Sequence, residues 1–127
     1  MKKRVNEWLN LASEDLQVAE LCFKEEIYNQ ACFHAQQCVE KSLKAVIEND
    51  RKVPKLHRLI DLLEIVSEIN NQLSEDREDF EFLDKFYTST RYPFIVGMLP
   101  GGAPTKSDAS KAIELAKEIN AKISSNH

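Results

Sequence analysis

Glycine, paired cysteine and long apolar runs are all scarce in this chain, and each shortage removes a class of protein. Three glycines in 127 residues are too few for a β protein built on many tight turns, which needs glycine where φ is positive. No apolar run approaches the roughly 18 residues that a bilayer-spanning helix requires, so no membrane association is expected. The amino terminus, Met1-Lys2-Lys3-Arg4, is basic, but Asn6, Glu7 and Asn10 interrupt the residues after it, and no signal-peptide core is expected. Cys22, Cys32 and Cys38 form an odd set, which fits a reducing cytoplasm better than an oxidising compartment. His34 and Cys38 stand one helical turn apart, a metal-ligand spacing. No Cys-x-x-Cys and no second His-containing pair completes a zinc site, so neither metal nor cofactor is expected.

What is present points to one helical domain over residues 1–127, large enough to bury a core without metal or disulfide. The net charge of −4 argues against a general nucleic-acid coat. Its distribution is uneven: residues 59–85 hold two Lys/Arg and nine Asp/Glu, a local charge of −7. Just before them lies Arg51-Lys52-Val53-Pro54-Lys55-Leu56-His57-Arg58, with four cations and no acid. This segment can meet phosphate; a solvated interhelical loop is the simpler reading.

Apolar spacing predicts five helices and no strand. Val5, Trp8, Ala12, Leu16, Ala19 and Phe23 recur at helical intervals over about 5–24. Asp15 falls on that same stripe, and a buried carboxylate needs a cation or backbone donors from elsewhere; a place at the wet margin is the alternative. A second helix to about Asn49 turns Cys32, Ala35, Val39, Leu43, Val46 and Ile47 inward. Gln30, His34, Gln37, Lys41, Lys44 and Glu48 share its opposite side. Glu40 and Lys44 form an i, i+4 pair, worth a few tenths of a kcal/mol if exposed. A third helix over about 57–70 points Leu59, Ile60, Leu63, Val66 and Ile69 inward. Ser74 is a candidate cap for a fourth, which carries Phe80, Leu83, Phe86 and Tyr87 and stops near Tyr92 because Pro93 comes next. Residues 94–106 read as a loop; Gly101-Gly102 lacks the Lys-Ser/Thr of a phosphate-binding loop. A last helix after Ser107 packs Ala109, Ala112, Ala116, Ile119 and Ile123. The expectation is an all-α, five-helix up-and-down bundle.

The ordered set Trp8, Ala12, Asp15 and Ala19; Ala35-Gln36-Gln37, Glu40-Lys41 and Leu43-Lys44; His57 with Leu59 and Leu63; then Arg91-Tyr92-Pro93 and an Ala-rich last helix resembles the HEPN family (higher eukaryotes and prokaryotes nucleotide-binding). The resemblance covers nearly the whole chain. It implies a compact helical bundle, commonly a homodimer, often encoded beside a minimal nucleotidyltransferase as a toxin–antitoxin pair. Many members are metal-independent ribonucleases with an Arg followed, after four to six residues, by a His. In those enzymes the His acts in acid/base catalysis on the ribose 2′-hydroxyl and the Arg steadies the phosphate.

This chain departs from that motif. Downstream of Arg91 stand Ile95-Val96-Gly97-Met98, and no His appears until His127; none of the replacements can both take and give a proton near neutrality. Arg51 and His57 match the spacing in a different loop, which reads as coincidence. The leading expectation is therefore a cytoplasmic nucleotide- or RNA-binding module working with a nucleotidyltransferase, with catalysis by this chain alone disfavoured. Arg91 would bind phosphate through its planar fork or pair structurally with Asp15. Tyr92 would stack on a base or pack with its hydroxyl bonded. His57, Lys41, Gln37 and Lys44 complete the candidate ligand surface, for which a plain solvated helix face is the alternative. Two further readings stand beside it: a ribonuclease in which a histidine such as His57 substitutes beside Arg91, and a non-catalytic dimeric interaction protein.

Overall fold

The fold is described from a computed structural model over residues 3–70, 73, 77–89 and 102–125. Five helices succeed one another, with no strand among the described residues: α1 Lys3–Lys24, α2 Tyr28–Glu48, α3 Leu59–Ile69, α4 Arg77–Ser89 and α5 Lys106–Ser125. The all-α bundle expected from apolar spacing is the architecture found. The candidate cap Ser74 and the segment 90–101, with Arg91, Tyr92 and the break expected at Pro93, lie outside the described residues, as does His127.

Helix α2 is the axis of the bundle and packs on each of the other four helices. None of its 21 residues is exposed. Its inner stripe is as expected, with Cys32, Ala35, Val39, Leu43 and Ile47 fully buried. Burial of Leu43 or Ile47 alone is worth about 1.5–3 kcal/mol. Of the residues expected on its other side, Lys44 is buried and Gln30, His34, Gln37, Lys41 and Glu48 are partly covered, and three further polar residues, Gln36, Glu40 and Ser42, are buried as well. An amphipathic pattern reports how polar a face is, not whether water reaches it. Here the rest of the bundle covers the polar face, and its partners come from α2 itself, from His57 in the loop after it and from Asp84 and Asn120 of other helices. No buried side-chain N or O among the described residues is left without one. Ser42 shows how: its hydroxyl donates to the Cys38 carbonyl at 2.8 Å and accepts from Asn120 Nδ2 of α5 at 3.0 Å.

The remaining helices dock as their periodicity dictates. Val5, Ala12 and Ala19 of α1 are buried with Asp15 among them. The α1–α2 turn closes on Glu26, whose φ of +64° lets Ile27 N–H reach back to the Cys22 carbonyl at 2.8 Å, a left-handed helix stop. Helix α3 buries Leu62 along with Leu59, Leu63 and Val66, whereas Ile60 and Ile69 are only partly covered. Helix α5 begins two residues before the expected point. Thr105 Oγ1 accepts from Asp108 N–H at 3.1 Å while Asp108 Oδ2 accepts from Thr105 N–H at 3.0 Å. The reciprocal pair makes Thr105 the cap and leaves Ser107 inside the helix.

Candidate functional site: a carboxylate-centred polar group beside a cationic cleft

Two carboxylates organise the polar side of α2. Glu40, nearly fully buried, is the first. Its Oε1 accepts from Gln37 Nε2 at 3.1 Å, and its Oε2 accepts from Lys44 Nζ at 2.9 Å. His57 Nδ1 lies 3.2 Å from the same Oε2. A carboxylate only accepts, so Nδ1 carries the proton and a neutral His57 keeps Nε2 as an acceptor. Three of the sequence-predicted residues, Gln37, Lys44 and His57, therefore meet at one group. The Glu40–Lys44 pair is buried, at 5% and 7% side-chain exposure, not the exposed surface pair that helical spacing alone suggests. Removing one partner of such a pair costs far more than breaking a surface bridge.

The approach of His57 is set from behind by Gln36 and Asp84. Gln36 Nε2 donates to the His57 carbonyl and to Asp84 Oδ1, both at 3.3 Å, while its Oε1 accepts from Gln37 at 2.8 Å. Asp84, on α4, accepts the first free N–H groups of α3, from Leu59 at 2.8 Å and Ile60 at 3.1 Å. The residue at the cap position, Arg58, makes no such bond, so α3 is capped from another helix. Burial raises the Asp84 pKa; the Leu59 and Ile60 amides, Gln36 and the Arg58 charge offset only part of that rise. Tyr87, one turn further along α4, stacks on the His57 ring.

Asp15 is the second carboxylate. His34 Nδ1 lies 3.0 Å from Oδ1, and Lys41 Nζ donates to Oδ2. Burial alone would raise the Asp15 pKa, but these two partners, by hydrogen bonding and by charge, bring it below its ordinary value. The partners that a carboxylate on the α1 stripe demands thus come from α2, the Lys41 ammonium and the His34 imidazole. Lys41, grouped with Gln37 and Lys44 by sequence, is held at this separate centre. Arg91, the other candidate partner of Asp15, lies outside the described residues. Arg51 reaches away from His57, to Asp50 at 2.8 Å and Glu68 at 2.9 Å. Among the described residues, no three His, Cys, Asp or Glu side chains form a metal-binding group. Cys32 and Cys38 are buried thiols pushed up to about 12, first by desolvation, and so are poor nucleophiles.

Lys44 and His57 also face a cleft of about 510 Å³ that sequence reasoning does not assemble. Arg4 and Trp8 of α1 form one wall, and Lys52 and Lys55 of the α2–α3 loop another, with Glu48 of α2 between them. Trp8 Nε1 donates to Glu48 Oε1 at 3.2 Å, and Lys44 Nζ sits 5.5 Å from the Trp8 ring centroid. The sequence signals for this cleft are the four-cation loop and the lone tryptophan, but they lie some 40 residues apart (Trp8 and Glu48 are separated by 40). Only the antiparallel return of α2 along α1 brings them together.

The HEPN domain family matches residues 5–125 of this chain. A protein named "Putative toxin MJ1304" from Methanocaldococcus jannaschii is 29% identical over 122 residues, covering 88% of this chain and 80% of that protein. The crystal structure of TT1696 from Thermus thermophilus is 31% identical and superposes with a TM-score of 0.86 over 99% of this chain and 100% of that one. The crystal structure of ST0689, described as an archaeal HEPN homologue, is 30% identical with a TM-score of 0.75, over 99% and 98% of the two chains. The sequence match and both superpositions run the length of the bundle that carries the two carboxylate centres, and this chain belongs to the HEPN family.

Proposed function

We propose that this chain is the toxin-type HEPN half of a two-component system, a cytoplasmic homodimer that binds nucleotide or RNA and is partnered by a nucleotidyltransferase. The observation that carries the reading is the convergence of Gln37, Lys44 and His57 on buried Glu40 at the edge of a cation-lined cleft. The group holds the His57 ring in fixed geometry at the edge of that cleft, where Arg4, Lys52 and Lys55 supply the donors and positive charge that phosphate oxygens require. Similarity to the toxin-named relative supports the paired-system role. Arg91 and Tyr92 belong to this reading as the phosphate-binding and base- or ribose-contacting residues, with Lys41 as a further cation.

The His57 ring favours a second reading, a metal-independent ribonuclease. Its Nδ1 is held by Glu40 while the side chain is 53% exposed, an arrangement that leaves Nε2 open for proton transfer to or from a ribose hydroxyl. Arg91 would then steady the phosphate.

A metal-free cleavage time course on short labelled RNA, run beside a pull-down with a minimal nucleotidyltransferase, tests both readings. Retention of the nucleotidyltransferase and RNA binding without turnover is the expected result. Cleavage that disappears in both Arg91→Ala and His57→Ala would move the assignment to the ribonuclease. Absence of binding, cleavage and complex formation from a folded preparation would overturn both.

A further inference from the structure

Every large apolar side chain that stands exposed among the described residues falls within residues 11–27: Leu11 at 43%, Val18 at 37%, Leu21 at 58% and Ile27 at 47%. Scattered apolar residues are ordinary on a protein surface and call for no partner. Three of these four are not scattered. Leu11, Val18 and Leu21 of α1 are spaced by seven and three, the a and d positions of a heptad. The same row runs on through Arg4, Glu7, Glu14 and Glu25, and all seven of its residues are exposed. Glu25 N–H donates to the Leu21 carbonyl at 3.1 Å, so the helical ladder reaches the end of the row. At 100° per residue the seven lie within an arc of about 100° and span about 32 Å along the helix.

The charges of the row decide what fits it. None of Arg4, Glu7, Glu14 and Glu25 takes part in an ion pair among the described residues. A second copy of α1 is a poor match. Paired in parallel, each residue meets its own counterpart, so Glu7, Glu14 and Glu25 all face a like charge. Paired antiparallel with Leu11 on Leu21 of the other copy, Glu7 falls on Glu25 and Val18 on Glu14. Like charges and a carboxylate pressed on an apolar side chain both oppose association. A helix with apolar residues facing Leu11, Val18 and Leu21, and with Lys or Arg facing the three glutamates, meets neither penalty. We propose that the outer face of α1 docks a basic amphipathic helix of a partner protein, with Leu21, the most exposed of the three, as its chief apolar anchor. The proposal goes beyond the nucleotide-handling reading and does not depend on it.

Fluorescence anisotropy tests this, with the full chain titrated into labelled synthetic peptides of about 21 residues, three heptads. The first peptide carries leucine at the seam positions that face Leu11, Val18 and Leu21 and lysine at those that face Glu7, Glu14 and Glu25. The second replaces each lysine with glutamate, and the third has the composition of the first in scrambled order. Saturable binding of the first peptide alone is expected, weakening as salt rises. Leu11→Ser, Val18→Ser and Leu21→Ser should each weaken it about tenfold, and Glu14→Lys should weaken it more than Glu14→Gln. Glu64→Lys makes the same change in net charge at an exposed position on α3 and should alter binding little. Circular dichroism confirms that each variant is folded. Sedimentation of Leu21→Arg beside the unmodified chain asks whether a second copy holds the row instead, and an unchanged oligomeric state is expected.

Equal binding of the first peptide and either of the others, binding indifferent to all three apolar positions, or no binding of any peptide would overturn the proposal. Loss of self-association in Leu21→Arg would overturn it too, by giving the row to a second copy. Each of these outcomes leaves nucleotide and RNA binding where the cleavage and pull-down assays put them.

Discussion

The imidazole of His57 lies nearly parallel to the ring of Tyr87, with planes 8° apart and centroids separated by 5.7 Å. Glu40 holds the ring at Nδ1 and Tyr87 covers one of its faces, so a residue at the exposed end of an interhelical loop is confined in two directions. Tyr87→Ala should release it. The expected loss is about 0.5–1.5 kcal/mol beyond that of buried area, read by urea denaturation. In NMR spectra the His57 ring protons should move downfield as the ring current is lost, and Tyr87→Phe should keep them near their original positions. Unchanged His57 resonances in Tyr87→Ala would show that the stack does not order the ring.

Glu40 is the residue on which most of the site depends. Glu40→Ala leaves Lys44 as a buried ammonium without its counter-ion and removes the acceptor for Gln37 and His57. A loss of about 3–5 kcal/mol is expected, measured from the denaturation midpoint at constant slope. Combining Glu40→Leu with Lys44→Met should recover much of it, because the unpaired charge goes as well. If Glu40→Ala costs no more than a surface pair, the burial assigned to this centre is wrong.

Asp84 caps a helix to which it does not belong. Asp84→Ala should destabilise the chain by about 1–2 kcal/mol, the scale of a lost helix cap, and should raise amide exchange at Leu59 and Ile60 before other sites. Asp84→Asn keeps one oxygen acceptor and should fall between. Because burial raises the Asp84 pKa, the carboxyl's effect on stability is most favourable below its ordinary value of 3.8 and declines as pH rises through the folded value. Asp84→Asn should flatten that decline.

Asp15 has the opposite sign. Its folded pKa lies below the ordinary 3.8 because His34 and Lys41 together outweigh burial. The resulting stability is present above about pH 4 and is lost as pH falls through the lower folded value. Asp15→Asn should therefore be less stable than wild type near neutrality, with the difference closing in acid. A gap that stays constant from about pH 7 to about pH 3 would contradict the ion-pair assignment.

How much of this was legible without the structure depends on the range of each signal. Helical period is local, so the inward residues of α1, α2 and α5 could be read from spacing; in α3, Leu62 was hidden because its apolar residues (59, 60, 62, 63, 65, 66 and 69) spread over more of the helix than one narrow face. The ordered motifs carry the family resemblance because they combine weak local signals along nearly the whole chain. Asp15 announced its need for a cation by standing on an apolar stripe, yet nothing in α1 could say that Lys41 and His34 would meet it.

Composition and short-range spacing were enough to set the helical class and the types of residue available for binding phosphate, and the ordered motifs carried the resemblance to the family. Which polar residues share a centre was settled by the packing of the helices. That packing sent Lys41 to Asp15, joined Gln37, Lys44 and His57 at Glu40, capped α3 from α4, and set Arg4 and Trp8 across a cleft from Lys52 and Lys55. Those assignments depend on how α1, α3 and α4 lie against α2, a geometry fixed by side chains that meet across helix surfaces and are remote from one another along the chain.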